Sequence, residues 1–240
     1  MKDARYRVRM HTAPGTHTFD RPVSGKDAAI LIGAFMLSLV AVAGVAAVLL
    51  TIFGSAAVPY VLPLAGAIQL VLCGIAIRLR GWTIRELGFV RPAHGWLRLL
   101  WQVPLAWVVA LLVTVVVHPL LFDNPTDSSS KTISASLAAG PGLAVAVFIV
   151  AVVVAPLVEE IVFRRLIYAL LERRFGVIVA ALGSAVLFGL IHVEPQAILM
   201  ISFLGIAMAL LVRHNRSLWP SVCLHALNNA IAVTALLIML

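Results

Sequence analysis

The stretch "VVAPLVEEIVFRRLIYALLERR", residues 153–174, sets two adjacent glutamates, Glu159 and Glu160, at the end of one of the most apolar runs in the chain. A carboxylate placed inside a membrane helix costs at least about 2.5 kcal/mol on insertion scales, so an acid there is by default a candidate for chemistry. The bland alternative is a pair of interfacial acids that ends a span where it meets water. The surroundings of the stretch bear on both readings.

Of the 240 residues, 62% are hydrophobic and only 12% charged, with a mean hydropathy of +1.07, far above that of a soluble domain. The composition implies an all-α, polytopic membrane bundle. Apolar runs long enough to cross a bilayer, roughly 17 to 25 residues, fall at about 28–53, 58–77, 99–117, 142–158 and onward, 177–191, 198–212 and 219–240. That is about seven spans, within a range of six to eight.

Loop charges alternate. Lys2, Arg5, Arg7, Arg9, Arg21 and Lys26 precede the first span, and the "GSAA" link after it has none. Arg78, Arg80, Arg85, Arg91 and Arg98 fill the next loop, whereas the one after sets Asp123 and Asp127 against Lys131. Arg173 and Arg174, then Glu194 alone, then Arg213 and Arg216 continue the pattern. Positive loops lie inside, so the expectation is a multi-pass protein of the cell membrane with a cytoplasmic N-terminus. The net charge of +8 then follows from topology, and without aromatic and basic interleaving no nucleic-acid partner is expected. The first run begins after 27 largely polar residues and exceeds a usual signal-peptide core, which makes it an uncleaved anchor. Cys73 and Cys223 both sit in spans with no CxxC, so neither a disulfide nor a thiolate metal site is expected.

Residues 1–27 are expected to be a flexible, basic cytoplasmic tail, and 28–240 a single transmembrane domain. Residues 79–96, "LRGWTIRELGFVRPAHGW", mix Trp82, Leu87, Phe89 and Trp96 with arginines, as suits a chain lying at the membrane interface. Residues 122–136, rich in Ser, Thr and Asp, read as the longest external loop. Side chains able to carry chemistry concentrate at about 142–235.

Helical geometry begins to separate the two readings of the glutamates. If their helix runs on to the basic cluster, Glu159 lies about 14 residues, or roughly 20 Å, from Arg173, which is mid-membrane. Glu160 and Arg164 are one turn apart and can pair, Glu first, in the favourable order. His192 ends "AVLFGLIH" at a similar depth, about 16 residues from Gly176. His225 and Asn229 share a helix face, and Asn228 points to a neighbouring one. Each has a structural reading as well: His192 as an interfacial residue, His225 with Asn229 as a hydrogen-bonded helix contact. Several polar exceptions at compatible depths, with no acid, base or histidine inside the first three spans, favour one shared cavity. "GIAMA", Gly205 to Ala209, has small-xxx-small spacing and reads as packing.

On these residues the sequence resembles the CPBP family of intramembrane endopeptidases, which includes type II CAAX prenyl endopeptidases and bacteriocin self-immunity proteins. The family's EExxxR, FxxxH and HxxxN motifs read here as "EEIVFR" from Glu159 to Arg164, "FGLIH" from Phe188 to His192, and "HALNN" with His225 and Asn229. "IRELGFVRP" and "FLGIAMALLVRHNRSLWPS" resemble its upstream loop and its late span and turn. The resemblance covers roughly residues 80–235. It implies an endopeptidase in which Glu159 is the general base, His192 orients the same water, and His225 with Asn229 bind the oxyanion. Glu160, Arg164 and Phe188 support them. It implies no metal; the alternative is Zn2+ on Glu159, His192 and His225, without the HExxH spacing of one-helix zinc sites. The substrate implied is a peptide or membrane protein, lipidated or not, in or near the bilayer. The competing functions are a catalytically idle immunity or scaffold protein and a proton-coupled transporter, the latter disfavoured by the lack of inverted repeats.

Overall fold

A computed structural model describes Phe19, residues 21–122 and residues 129–240. Among them the chain is helical: α1 (Gly25–Phe53), α2 (Val58–Leu79), α3 (Leu99–Leu121), α4 (Ser129–Ala138), α5 (Pro141–Ile149), α6 (Ala155–Glu160), α7 (Tyr168–Leu190), α8 (Pro195–Asn215) and α9 (Trp219–Ile238). This is a helical multi-pass membrane bundle. Apolar side chains such as Leu37, Val40, Ile52, Leu112, Val116 and Ile178 stand exposed around it. In water that would be a liability; against lipid it is the expected outer face.

Five helical runs among the described residues are long and apolar enough to cross a membrane. Two of them, Gly25–Leu79 with 55 residues and Pro141–Leu190 with 50, exceed what a hydrocarbon core of about 30 Å accommodates in one pass. Each is interrupted. The first turns through a 3-10 segment, Gly54–Ala57, at the uncharged "GSAA" link. The second breaks at Gly176, whose φ of 82° and ψ of 176° lie outside helical space and in a region that only glycine enters without strain. Both breaks coincide with boundaries that loop charge and apolar length mark in the sequence.

Inside, α7 packs along α8. Gly205 on α8 is one of their close approaches: a β-carbon there would sit 3.0 Å from that of Ala185 and 3.2 Å from a guanidinium nitrogen of Arg164. The small-residue spacing is therefore packing, as expected, and it also makes room for a buried arginine. Phe35, Val103, Phe163, Phe188, Leu204, Met208 and Leu224 form the main core around this contact, on the side that holds the candidate site.

Three stretches are more closely packed than their composition alone suggests. Residues 1–18 and 20 of the expected tail lie outside the described residues, but from Arg21 on the chain is anchored. Arg165 donates to the Arg21 carbonyl at 2.6 Å, Arg173 donates to the Val23 carbonyl at 3.2 Å, and Ser24 caps α1 through a reciprocal capping box with Asp27. The 79–96 segment is tucked into the protein, with Trp82 and Leu87 buried among α1, α2 and the π segment after α6; its indole donates to Asp27 at 3.2 Å. Of the expected external loop, residues 123–128 lie outside the described residues, and the part from 129 is α4. Ile133 and Leu137, one turn apart, pack with Leu62, Val147 and Val233, so burial of an apolar stripe overrides the polar composition.

Candidate active site

The helix carrying the glutamates is not regular. α6 is six residues long and lies between two π-helical segments, Val150–Val154 and Ile161–Ile167. In the first of these the Ala155 N–H reaches back five residues to the Val150 carbonyl. The next carbonyl, Ala151, would take its partner from residue 156, which is proline and has no N–H. The orphaned carbonyl is satisfied from another helix: Asn229 of α9 donates its side-chain amide to it at 2.8 Å. A widened turn and a proline thus create the acceptor that fixes Asn229.

The rest of the network sets which way the amides point. Trp107 of α3 has only a donor, and gives it to Asn228 Oδ1 at 3.2 Å; Asn228 Nδ2 then donates to Asn229 Oδ1 at 3.2 Å, and Asn229 Nδ2 to Ala151. With an indole donor at one end and a carbonyl acceptor at the other, no other orientation satisfies the chain.

Glu160 is fully buried. Its Oε2 lies 3.2 Å from Arg164 Nε, one turn on, and the contact is an ion pair rather than an aligned hydrogen bond, since neither atom has a hydrogen-bond partner. Its Oε1 meets His225 Nδ1 at 3.1 Å. Arg164, also fully buried, extends towards the Ser184 carbonyl at 3.4 Å and the Met208 sulfur at 3.6 Å, with its guanidinium 5.0 Å from the Phe188 ring centroid. His225 is thereby oriented: Nδ1 donates to Glu160, and Nε2 faces Glu159 Oε2 at 3.8 Å.

His192 closes α7. Its Nδ1 lies 3.0 Å from the Phe188 carbonyl, so that nitrogen is the donor and Nε2 is left as the acceptor. The chain leaves at once through a tight turn in which the Glu194 N–H bonds the His192 carbonyl at 2.7 Å. The central Val193 has φ of 65°, a rare value for a β-branched residue. Phe188 lies edge-on to both His192 and His225, at 5.2 and 5.4 Å.

Glu159, Phe188, His192, His225, Asn228 and Asn229, with Ala155, Ile201 and Leu204, line one cavity of about 90 Å³, room for several waters. Every candidate residue that sequence reasoning named as catalytic borders it; Glu160 and Arg164 lie behind it. Two contributors escaped that reasoning. Trp107 lies in the apolar run 99–117, which has no acid, base or histidine, and nothing in its sequence context marks its partner. The Ala151 carbonyl is a backbone group whose only trace is Pro156, five residues on. Among the described residues, no three His, Cys, Asp or Glu side chains form a group that could hold a metal ion.

Residues 141–231 match the family model described as Type II CAAX prenyl endopeptidase Rce1-like. Over these residues the chain is similar to that family, on the same motifs that carry the resemblance in the sequence. It is also 31% identical over 85 residues to "Putative membrane peptidase YdiL" of Bacillus subtilis (strain 168), a match spanning 35% of this chain and 35% of that relative's length. No solved structure matches it significantly. The matched region runs from α5 into α9, and so contains the whole of the cavity lining.

Proposed function

We propose that this protein is an intramembrane endopeptidase that hydrolyses a peptide bond in or near the membrane with water activated by Glu159. The observation that carries this is the small polar cavity enclosed by apolar helices, in which one carboxylate, two oriented imidazoles and two oriented amides converge. Glu159 takes a proton from the water and returns it to the leaving amine. His192 Nε2, free because Nδ1 is committed to the Phe188 carbonyl, orients the same water. Asn229 has a second amide hydrogen beyond the one given to Ala151 and donates it to the developing oxyanion, at a site it shares with His225, whose Nε2 faces the cavity. Glu160 holds His225 by Nδ1 and is itself neutralised by Arg164, so the two glutamates divide the work: one faces the cavity and one fixes its wall.

The substrate class is a peptide or membrane protein, lipidated or not, reached from the bilayer. The protein sits in the cell membrane with its N-terminus cytoplasmic, and the reaction requires no metal. Membrane proteomics comparing cells with wild type and with Glu159→Gln, searched for new C-termini, tests the activity. C-termini present only with wild type are expected; the same set in both, with Glu159→Gln equally abundant, would leave a scaffold instead. Metal content after chelator-free purification, together with activity in excess chelator, tests the chemistry. Stoichiometric zinc and loss of activity would move Glu159, His192 and His225 to the role of ligands.

A further inference from the structure

Away from the catalytic cavity, a larger one of about 750 Å³ opens beside the segment joining α2 to α3, within the size range of small-molecule sites. Among the described residues, Arg85 and Arg91 line it with exposed side chains, beside Arg21, Arg216 and the carboxylate of Glu86. Glu86 Oε2 is already taken by Arg21 at 2.8 Å and by the Thr83 N–H and hydroxyl, each at 2.9 Å. Arg21 and Glu86 answer each other, and the guanidinium groups of Arg85 and Arg91 give the cavity its affinity for an anion. Because the segment joins two membrane-length apolar helices, the cavity lies at the boundary between water and lipid on whichever side that is.

Phe89 borders this cavity and also a second of about 200 Å³, lined entirely by Leu31, Leu70, Cys73 and other apolar residues of α1, α2 and the stretch around α6. A space so lined is dry and is filled only by an apolar group. A basic chamber at the membrane surface and an apolar slot in its interior thus share one residue, and that pairing matches an amphiphile with an anionic head. We propose that they are the two halves of one binding site for an anionic phospholipid. Its phosphodiester sits against Arg85 and Arg91, whose planar forks suit phosphate oxygens, and one acyl chain enters the slot past Phe89. Leu157, Val158 and Ile161 form part of the slot wall and flank Glu159 and Glu160 in sequence, so the chain packs against the back of the turn that carries both glutamates. The proposal stands independently of the proteolytic reading.

Native mass spectrometry of the full chain in detergent, titrated with phosphatidylglycerol or phosphatidylcholine of identical acyl chains, tests it; glycerol phosphate and inorganic phosphate serve as head-only probes. Phosphatidylglycerol is expected to be retained at least about tenfold better than phosphatidylcholine, with that preference lost in Arg85→Gln/Arg91→Gln. Both arginines are exposed, so the double variant should melt like wild type. Gly74→Phe projects into open space at the slot and should lower retention of phosphatidylglycerol severalfold. Leu70→Trp on the slot wall gives the same reading should Gly74→Phe fold poorly. Equal retention of the two lipids, a preference that survives loss of both arginines, or retention unaffected by the slot variants would overturn the proposal. So would head-only anions binding as well as the lipid, since that describes a soluble-anion site.

Discussion

Asp27, at the start of α1, accepts from the Ser24 hydroxyl at 2.7 Å, from Arg80 at 2.9 Å and from the Trp82 indole at 3.2 Å. Glu159, deep in the bundle, stands 3.8 Å from His225 Nε2, beyond hydrogen-bond distance, and borders a cavity. Both carboxylates are drawn out of water by apolar surroundings. The first is saturated with donors and ties the ends of α1 and α2 together; the second keeps an open side. Glu160, between the two extremes, spends its oxygens on Arg164 and His225. What separates a structural acid from a candidate reactive one in this fold is thus how many of its lone pairs the protein has already used.

The comparison breaks most sharply at Glu159. Glu159→Gln should reduce turnover of any peptide identified by the proteomic comparison by about 10²-fold or more, with a melting temperature in detergent equal to wild type; retained turnover would mean that the open carboxylate is not the base. Arg164→Met should act on stability instead, lowering it by about 3–5 kcal/mol, because Glu160 is left as an uncompensated buried charge. Denaturant titration in mixed micelles measures this, and the double variant Glu160→Gln/Arg164→Met should recover part of the loss. At the boundary, Asp27→Asn should cost about 1.5–3 kcal/mol, the range for hydrogen bonds to a charged group, and leave turnover intact. Pro156→Ala provides a backbone N–H that competes for the Ala151 carbonyl. Turnover should fall about tenfold as Asn229 loses its anchor, without loss of thermal stability, and an unchanged rate would show that the π turn does not position the amide.

The smallest effect belongs to Glu86. The backbone N–H and hydroxyl of Thr83, with Arg21, hold its carboxyl below the usual carboxylate range. Its stabilisation is therefore complete above the ordinary value of 4.5 and fades as pH falls through the lower folded-state value. Melting curves of wild type and Glu86→Gln should differ slightly at neutral pH and converge in acid.

Much of the site was legible in the sequence because the membrane makes polar residues conspicuous. Glu159 and His192 could be assigned similar depths by counting residues from the basic cluster and the glycine break, His225 could be set on one face with Asn229, and the helical run that carries Glu159 does continue past Arg173. The pairing of Glu160 with Arg164 followed from one helical turn. What could not be read was anything that depended on departures from that regularity. Pro156 is visible in the sequence, but the π register that makes its missing N–H leave Ala151 unpartnered is not. Trp107 looked like one more apolar residue of a span, since an indole shows its single donor only when a partner faces it. The polar stretch before α5 concealed Ile133 and Leu137 because their stripe acquires meaning only against Leu62, Val147 and Val233.

By itself the sequence determined that this is a helical membrane protein, where its runs break, and which few polar side chains lie within them, because the energetic penalty for burying charge in hydrocarbon leaves little freedom in where such residues occur. Only the tertiary structure decided which of those side chains remain open. That outcome rests on which helices face one another and which backbone carbonyl a widened turn leaves bare, and helical periodicity carries neither.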